Sequence, residues 1–162
     1  MKRCAWICLI PCLFLAGCDV FDKTNNGPEY ETEFWMTNAS GMTSTRFSIG
    51  EDITFHWRFA NVSDKEIVWN QPGTFPYVNF YVYINGPAGE IYVGKTWPNG
   101  DYPPPREMKL PPGYVLYFEI KWSDDPSHTP LPAGSYKIVA IEMINLPYLG
   151  EPRNLVETIE IE

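Results

Sequence analysis

The groups in this chain able to support thiol, metal or acid–base chemistry are four cysteines, two histidines and twenty carboxylates. Cys4, Cys8 and Cys12 fall four residues apart, a spacing that invites a metal reading. They flank or lie within the apolar run Ala5 to Leu15, which opens behind Lys2 and Arg3 and leaves through small residues. That order is a secretory signal. The run is too short to span a bilayer as a helix, and Pro11 interrupts it. Cleavage behind the run would discard those three thiols, so a mature body without disulfides or thiol chemistry is expected. His56 and His128 are far apart in sequence and read as two solvated surface histidines. No nucleophile elbow, His-Glu-x-x-His pair or phosphate loop is present. Asp124-Asp125-Pro126 lacks the alternating ligand spacing of a calcium loop and reads as a turn. The expectation is a protein that is not an enzyme, with no catalytic residue, metal site or cofactor.

One cysteine keeps a chemical role. Leu15-Ala16-Gly17-Cys18 resembles the lipobox of bacterial lipoproteins. The resemblance implies a signal peptide over 1–17, a diacylglycerol thioether on Cys18 and acylation of the new N-terminus. It places the protein in the cell envelope, anchored to a bacterial membrane. Asp19 resembles the inner-membrane retention signal of enteric bacteria, while acidic residues at this point favour surface export in other phyla. The leaflet, periplasm-facing or cell surface, stays open. The chain has 12 basic and 20 acidic residues, and removing Lys2 and Arg3 takes the net charge from −8 to about −10. Such a surface repels nucleic acid and anionic headgroups, so no nucleic-acid partner is expected and attachment rests on the acyl chains.

Residues 18–29 contain Asn25-Asn26-Gly27-Pro28 with little apolar periodicity and read as a flexible tether. A coil of this length reaches roughly 20 Å. The body, 30–162, is expected to be all-β. Sixteen prolines and twelve glycines divide it into short pieces, and no sustained 3.6-residue stripe appears. In Glu51 to Ala60, Ile53, Phe55, Trp57 and Phe59 share one face, and Thr54, His56 and Arg58 the other. Such alternation marks one buried and one wet face. Further strands are expected over Glu31–Thr37, Glu66–Trp69, Tyr77–Ile84, Glu90–Val93, Tyr114–Trp122, Ser135–Met143 and Leu155–Ile161. Tyr114, Leu116, Phe118, Ile120 and Trp122 share one face of the sixth, with Glu119 and Lys121 opposite. This pattern predicts an immunoglobulin-like β-sandwich of about seven or eight antiparallel strands. Tyr136 is placed for a tyrosine corner, its hydroxyl bonding back to the preceding turn, or for a plain sheet aromatic.

Two segments carry candidate binding residues. Lys95 to Lys109 is long for a hairpin link and contains Trp97, Tyr102, Pro103, Pro104 and Pro105. The prolines favour extended polyproline II geometry, suited to lying across a partner's groove or to covering a sheet edge. Trp69 to Tyr77 puts Trp69 and Tyr77 beside Asn70 and Gln71, a set able to stack on and hydrogen-bond a sugar or to plug the end of the sandwich.

Three blocks resemble one family. Phe59-Ala60-Asn61-Val62-Ser63-Asp64-Lys65 is similar to its F-x-N-x-S-D-K turn, Leu110-Pro111-Pro112-Gly113 to its L-x-P-G turn, and Pro132-Ala133-Gly134-Ser135-Tyr136 to its P-x-G-x-Y corner. In order and spacing they resemble the BsuPI-type intracellular proteinase inhibitor domain, over roughly Phe47 to Glu162. The resemblance implies an immunoglobulin-like sandwich and a peptidase as protein partner. The family's aromatic segment is altered here, with Tyr102 and three prolines replacing its usual continuation. The expected function is a membrane-anchored, non-catalytic protein-binding module, inhibitor-like in form. The alternatives are a carbohydrate-binding envelope lipoprotein and a structural envelope protein.

Overall fold

The alternation in the Glu51 to Ala60 stretch organises the molecule. A computed structural model of the chain describes residues 30–71, 77–96, 106–144 and 153–162. Among these, strands run in the order β1 (Tyr30–Thr37), β2 (Arg46–Phe47), β3 (Thr54–Asn61), β4 (Ile67–Gln71), β5 (Val78–Gly86), β6 (Gly89–Thr96), β7 (Arg106–Leu110), β8 (Val115–Lys121), β9 (Gly134–Glu142) and β10 (Asn154–Ile161). The eight expected strands are present with boundaries shifted by a few residues. Two short ones, β2 and β7, join them. β7 occupies the end of the expected Lys95–Lys109 loop, where Met108 pairs with Trp69 of β4.

The strands form a three-stranded sheet β1-β3-β8, a five-stranded sheet β2-β10-β9-β5-β6 and the pair β4-β7. Pairing is antiparallel except between β2 and β10. The inward side chains of β3 meet those of β5 and β9. Phe55 and Phe34 both stack on Phe80 at 5.4 Å between centroids. Phe55, Trp57, Phe59, Phe80, Ile138 and Ile159 are fully buried, and each such side chain contributes roughly 1.5–3 kcal/mol. The architecture is an all-β sandwich.

Two of the three turn blocks meet at one residue. The buried Asn61 amide donates to the carbonyls of Lys65 (2.8 Å) and Leu110 (2.9 Å), while its Oδ1 accepts from the Ser63 amide (3.1 Å) and hydroxyl (2.8 Å). Its backbone carbonyl accepts from Gly113, and its amide donates to Tyr114. Gly113 has φ +76°, a conformation that the Pro111–Tyr114 turn requires and an L side chain resists. Asn61 therefore splices β3–β8 to β4–β7. The third block also closes a turn, because the Tyr136 hydroxyl donates to the Pro132 carbonyl at 2.8 Å. That is the tyrosine-corner geometry of immunoglobulin-like sandwiches.

Candidate functional site

His56 points away from the sandwich core, as the alternation of β3 requires, yet it is buried. The expectation of a solvated histidine is therefore corrected. Period-two patterning sets the direction of a side chain, whereas its exposure depends on what neighbouring strands place beside it. Here Trp35 of β1, cross-strand from His56, stacks on the imidazole at 5.2 Å and 8°. Tyr117 of β8 also stacks on the imidazole, at 5.9 Å and 27°, and lies 6.0 Å from the Trp35 ring. The three rings thus form a triangular cluster on the outer face of the three-stranded sheet, each pair of centroids 5.2–6.0 Å apart.

Hydrogen bonds fix the cluster. Thr37 Oγ1 lies 2.7 Å from His56 Nε2, and His56 Nδ1 meets the Tyr117 hydroxyl. The Tyr117 hydroxyl in turn donates to Glu119 Oε2 at 3.0 Å. An ionised carboxylate only accepts, which orders the chain for a neutral imidazole. Tyr117 spends its proton on Glu119, so its oxygen accepts from Nδ1–H. Nε2 is then the acceptor for the Thr37 hydroxyl. Burial holds the His56 pKa below its ordinary value, with Glu119 opposing. Burial, aided by Glu119, pushes the Tyr117 phenol up, keeping it a donor.

Beside the cluster, Arg58 pairs with Glu33 at 3.3 Å. A depression of about 280 Å³ opens beside His56, lined in part by Thr37, Asp52, Thr54, Glu119 and Lys121. Tyr117 remains 48% exposed, with Tyr114 and Val115 exposed next to it.

His128 also departs from the solvated reading. Its ring lies on Trp122 at 3.7 Å and 10°, and Nδ1 contacts the Trp122 carbonyl at 3.0 Å. Gly94 on β6 makes room for this stack, since a Cβ there would sit 2.9 Å from Trp122. Asp125 accepts from the Ser127 amide and hydroxyl, the turn expected at that point. Among the described residues, no group of three or more His, Cys, Asp or Glu side chains is arranged to hold a metal ion. No described helix is long and apolar enough to cross a membrane.

Cys18, Trp97, Tyr102, Pro103, Pro104 and Pro105 lie outside the described residues. The backbone of Trp69 lies in β4, and Tyr77, at the end of the second candidate segment, is buried against Phe118 at 5.0 Å. Sequence reasoning missed Trp35, Tyr117 and the role of His56. The available signal was parity: Tyr117 shares the outward face of β8 with Glu119 and Lys121, where an aromatic is out of place.

By class, then, the described residues form an all-β sandwich with a tyrosine corner and an aromatic outer face. No family model and no curated protein sequence matches the chain. Solved structures with a partial likeness include a beta-glucosidase from Listeria innocua in complex with glucose, at 11% identity and TM-score 0.42, covering 83% of this chain and 16% of that one. The alkylpurine DNA glycosylase of Pseudomonas fluorescens bound to DNA aligns at 11% identity and TM-score 0.46, covering 84% of this chain and 31% of that one. The sporulation control protein of Bacillus subtilis aligns at 12% identity and TM-score 0.46, covering 84% and 50%. The chain thus spans half or less of each of these proteins.

Proposed function

We propose that the chain is a lipid-anchored, non-catalytic binding module of the bacterial cell envelope, held by Cys18 and contacting a protein partner through the outer face around Tyr117. The observation that carries the reading is the locked ring cluster: Tyr117 is half-exposed, yet its hydroxyl is held by Glu119 and its ring by His56 and Trp35. A tyrosine fixed before binding loses little conformational entropy on association, and tyrosine and tryptophan dominate interface hot spots. The lipobox residues support the anchor, and the BsuPI-type resemblance supports a peptidase as the first partner to try.

Photo-crosslinking from position 115, exposed on the Tyr117 face of β8, in solubilised envelope membranes tests this. A partner captured by the wild-type chain and lost with Tyr117→Ala, at unchanged melting temperature, is the expected outcome. Equal capture by both chains refutes the surface. Inhibition of a captured peptidase would place the module with the inhibitors. A polysaccharide is the second reading, favoured by aromatic rings beside Glu33, Arg58 and Glu119. Retarded migration in polysaccharide gels, abolished by Trp35→Ala, would select it.

A further inference from the structure

The exposed ring of Tyr117 is tied to a buried titratable group, which couples the surface to pH. This inference rests on the binding reading above, because the face it controls is the proposed contact surface. We propose that protonation of His56 replaces the His56–Tyr117–Glu119 chain with a direct His56–Glu119 ion pair and releases Tyr117, so that the face engages its partner in the neutral state and lets go on acidification.

With neutral imidazole every proton in the chain is matched: Thr37 donates to Nε2, Nδ1–H to Tyr117 and Tyr117 to Glu119. A proton arriving at Nε2 breaks that order. Nε2–H must now donate to Thr37, whose own hydroxyl proton loses its acceptor. At the other nitrogen, two acceptors compete for Nδ1–H. Glu119 Oε2 already stands 3.7 Å from Nδ1, and a carboxylate outcompetes a phenol oxygen for a charged donor. Closing that gap draws Glu119 away from the Tyr117 hydroxyl. Tyr117 sits on β8, the outer strand of its sheet, and is half-exposed, so the freed ring has room to turn.

The remaining charges around His56 are mostly committed elsewhere. From β1, Glu33 pairs with Arg58 of β3. From the loop before β3, Asp52 accepts from Ser123, and Glu51 accepts from the amides of Ser48 and Ala39. From β8, Lys121 lines the same depression, and Glu119 favours protonation. Glu119 is thus the group poised to respond.

The test is a pH titration from 8 to about 4.5 of the full-length chain in detergent micelles, with histidine and tyrosine rings labelled for NMR. His128→Gln and Tyr117→Phe assign the two histidine and the Tyr117 signals. His56 is expected to titrate below the ordinary 6.5, with the Tyr117 ring signals moving at the same midpoint. Glu119→Gln is expected to move the His56 midpoint to lower pH and to abolish the Tyr117 response. A Tyr117 ring that stays still while His56 titrates overturns the switch, as does a His56 that never titrates in a folded chain. Neither readout needs a partner, so failure here leaves the capture experiment to judge the binding surface separately.

Discussion

Replacing Asn61 by alanine tests the inference that one amide splices the two parts of its layer. The buried side chain makes two donor bonds, to Lys65 and Leu110, and accepts two from Ser63. Each donor bond is worth about 1 kcal/mol net, and the buried Leu110 carbonyl left behind costs a further ~1–3 kcal/mol. The expected loss is about 3–5 kcal/mol, a large part of the roughly 5–15 kcal/mol that such a domain possesses. With a urea m-value of about 2 kcal/mol/M, the unfolding midpoint falls by about 2 M. Asn61→Asp keeps the acceptor but loses both donations and brings a carboxylate against two carbonyls, so it should cost at least as much. Ser63→Ala removes the hydroxyl's part-buried bond to Asn61 Oδ1 and its exposed bonds with the Lys65 backbone but leaves both Asn61 donations in place, so it should cost less, about 1–2 kcal/mol. Urea unfolding followed by tryptophan fluorescence reads all three. A loss under about 1 kcal/mol for Asn61→Ala, at unchanged m, would refute the splice.

Glu142 is buried with its carboxylate accepting from Trp57 Nε1 at 3.1 Å, and desolvation raises its pKa. The folded state therefore holds this proton longer than the unfolded chain, so the group's contribution to stability declines as pH rises from its ordinary 4.5 through the raised value. Glu142→Gln should keep the Trp57 bond and remove that decline, seen as a flatter difference in unfolding free energy between pH 4.5 and 8. His56 works in the opposite sense: its lowered pKa costs stability as pH falls below 6.5, and Glu119→Gln should steepen the loss. Gly94→Ala drives a methyl into the Trp122–His128 stack and should cost about 1–3 kcal/mol, with altered near-ultraviolet circular dichroism. Cys18→Ser should move the protein from the membrane to the soluble fraction, and an unchanged distribution would remove the anchor from the proposal.

Much of the sandwich was legible because strand periodicity is local. Ile53, Phe55, Trp57 and Phe59 alternate and all are buried, and the turn blocks at Asn61, Gly113 and Tyr136 lie where the chain reverses. β7 was missed because Arg106–Leu110 has only two apolar residues and becomes a strand by pairing with β4. The same non-local cause hid β2, which exists through two residues' pairing with β10.

The order of amino acids by itself determined which residues point inward, where turns fall, the acidic surface and the lipobox-like start, since each depends on neighbours within a few positions. Tertiary structure alone decided that His56, outward in parity, is buried against two rings, and that Thr37, Tyr117 and Glu119 complete its hydrogen-bond chain. Those partners come from strands up to 63 positions away in sequence (His56 to Glu119) and become neighbours only when β1, β3 and β8 fall into register. Register is set by the hydrophobic faces of all three strands acting together, so no local stretch of chain contains it.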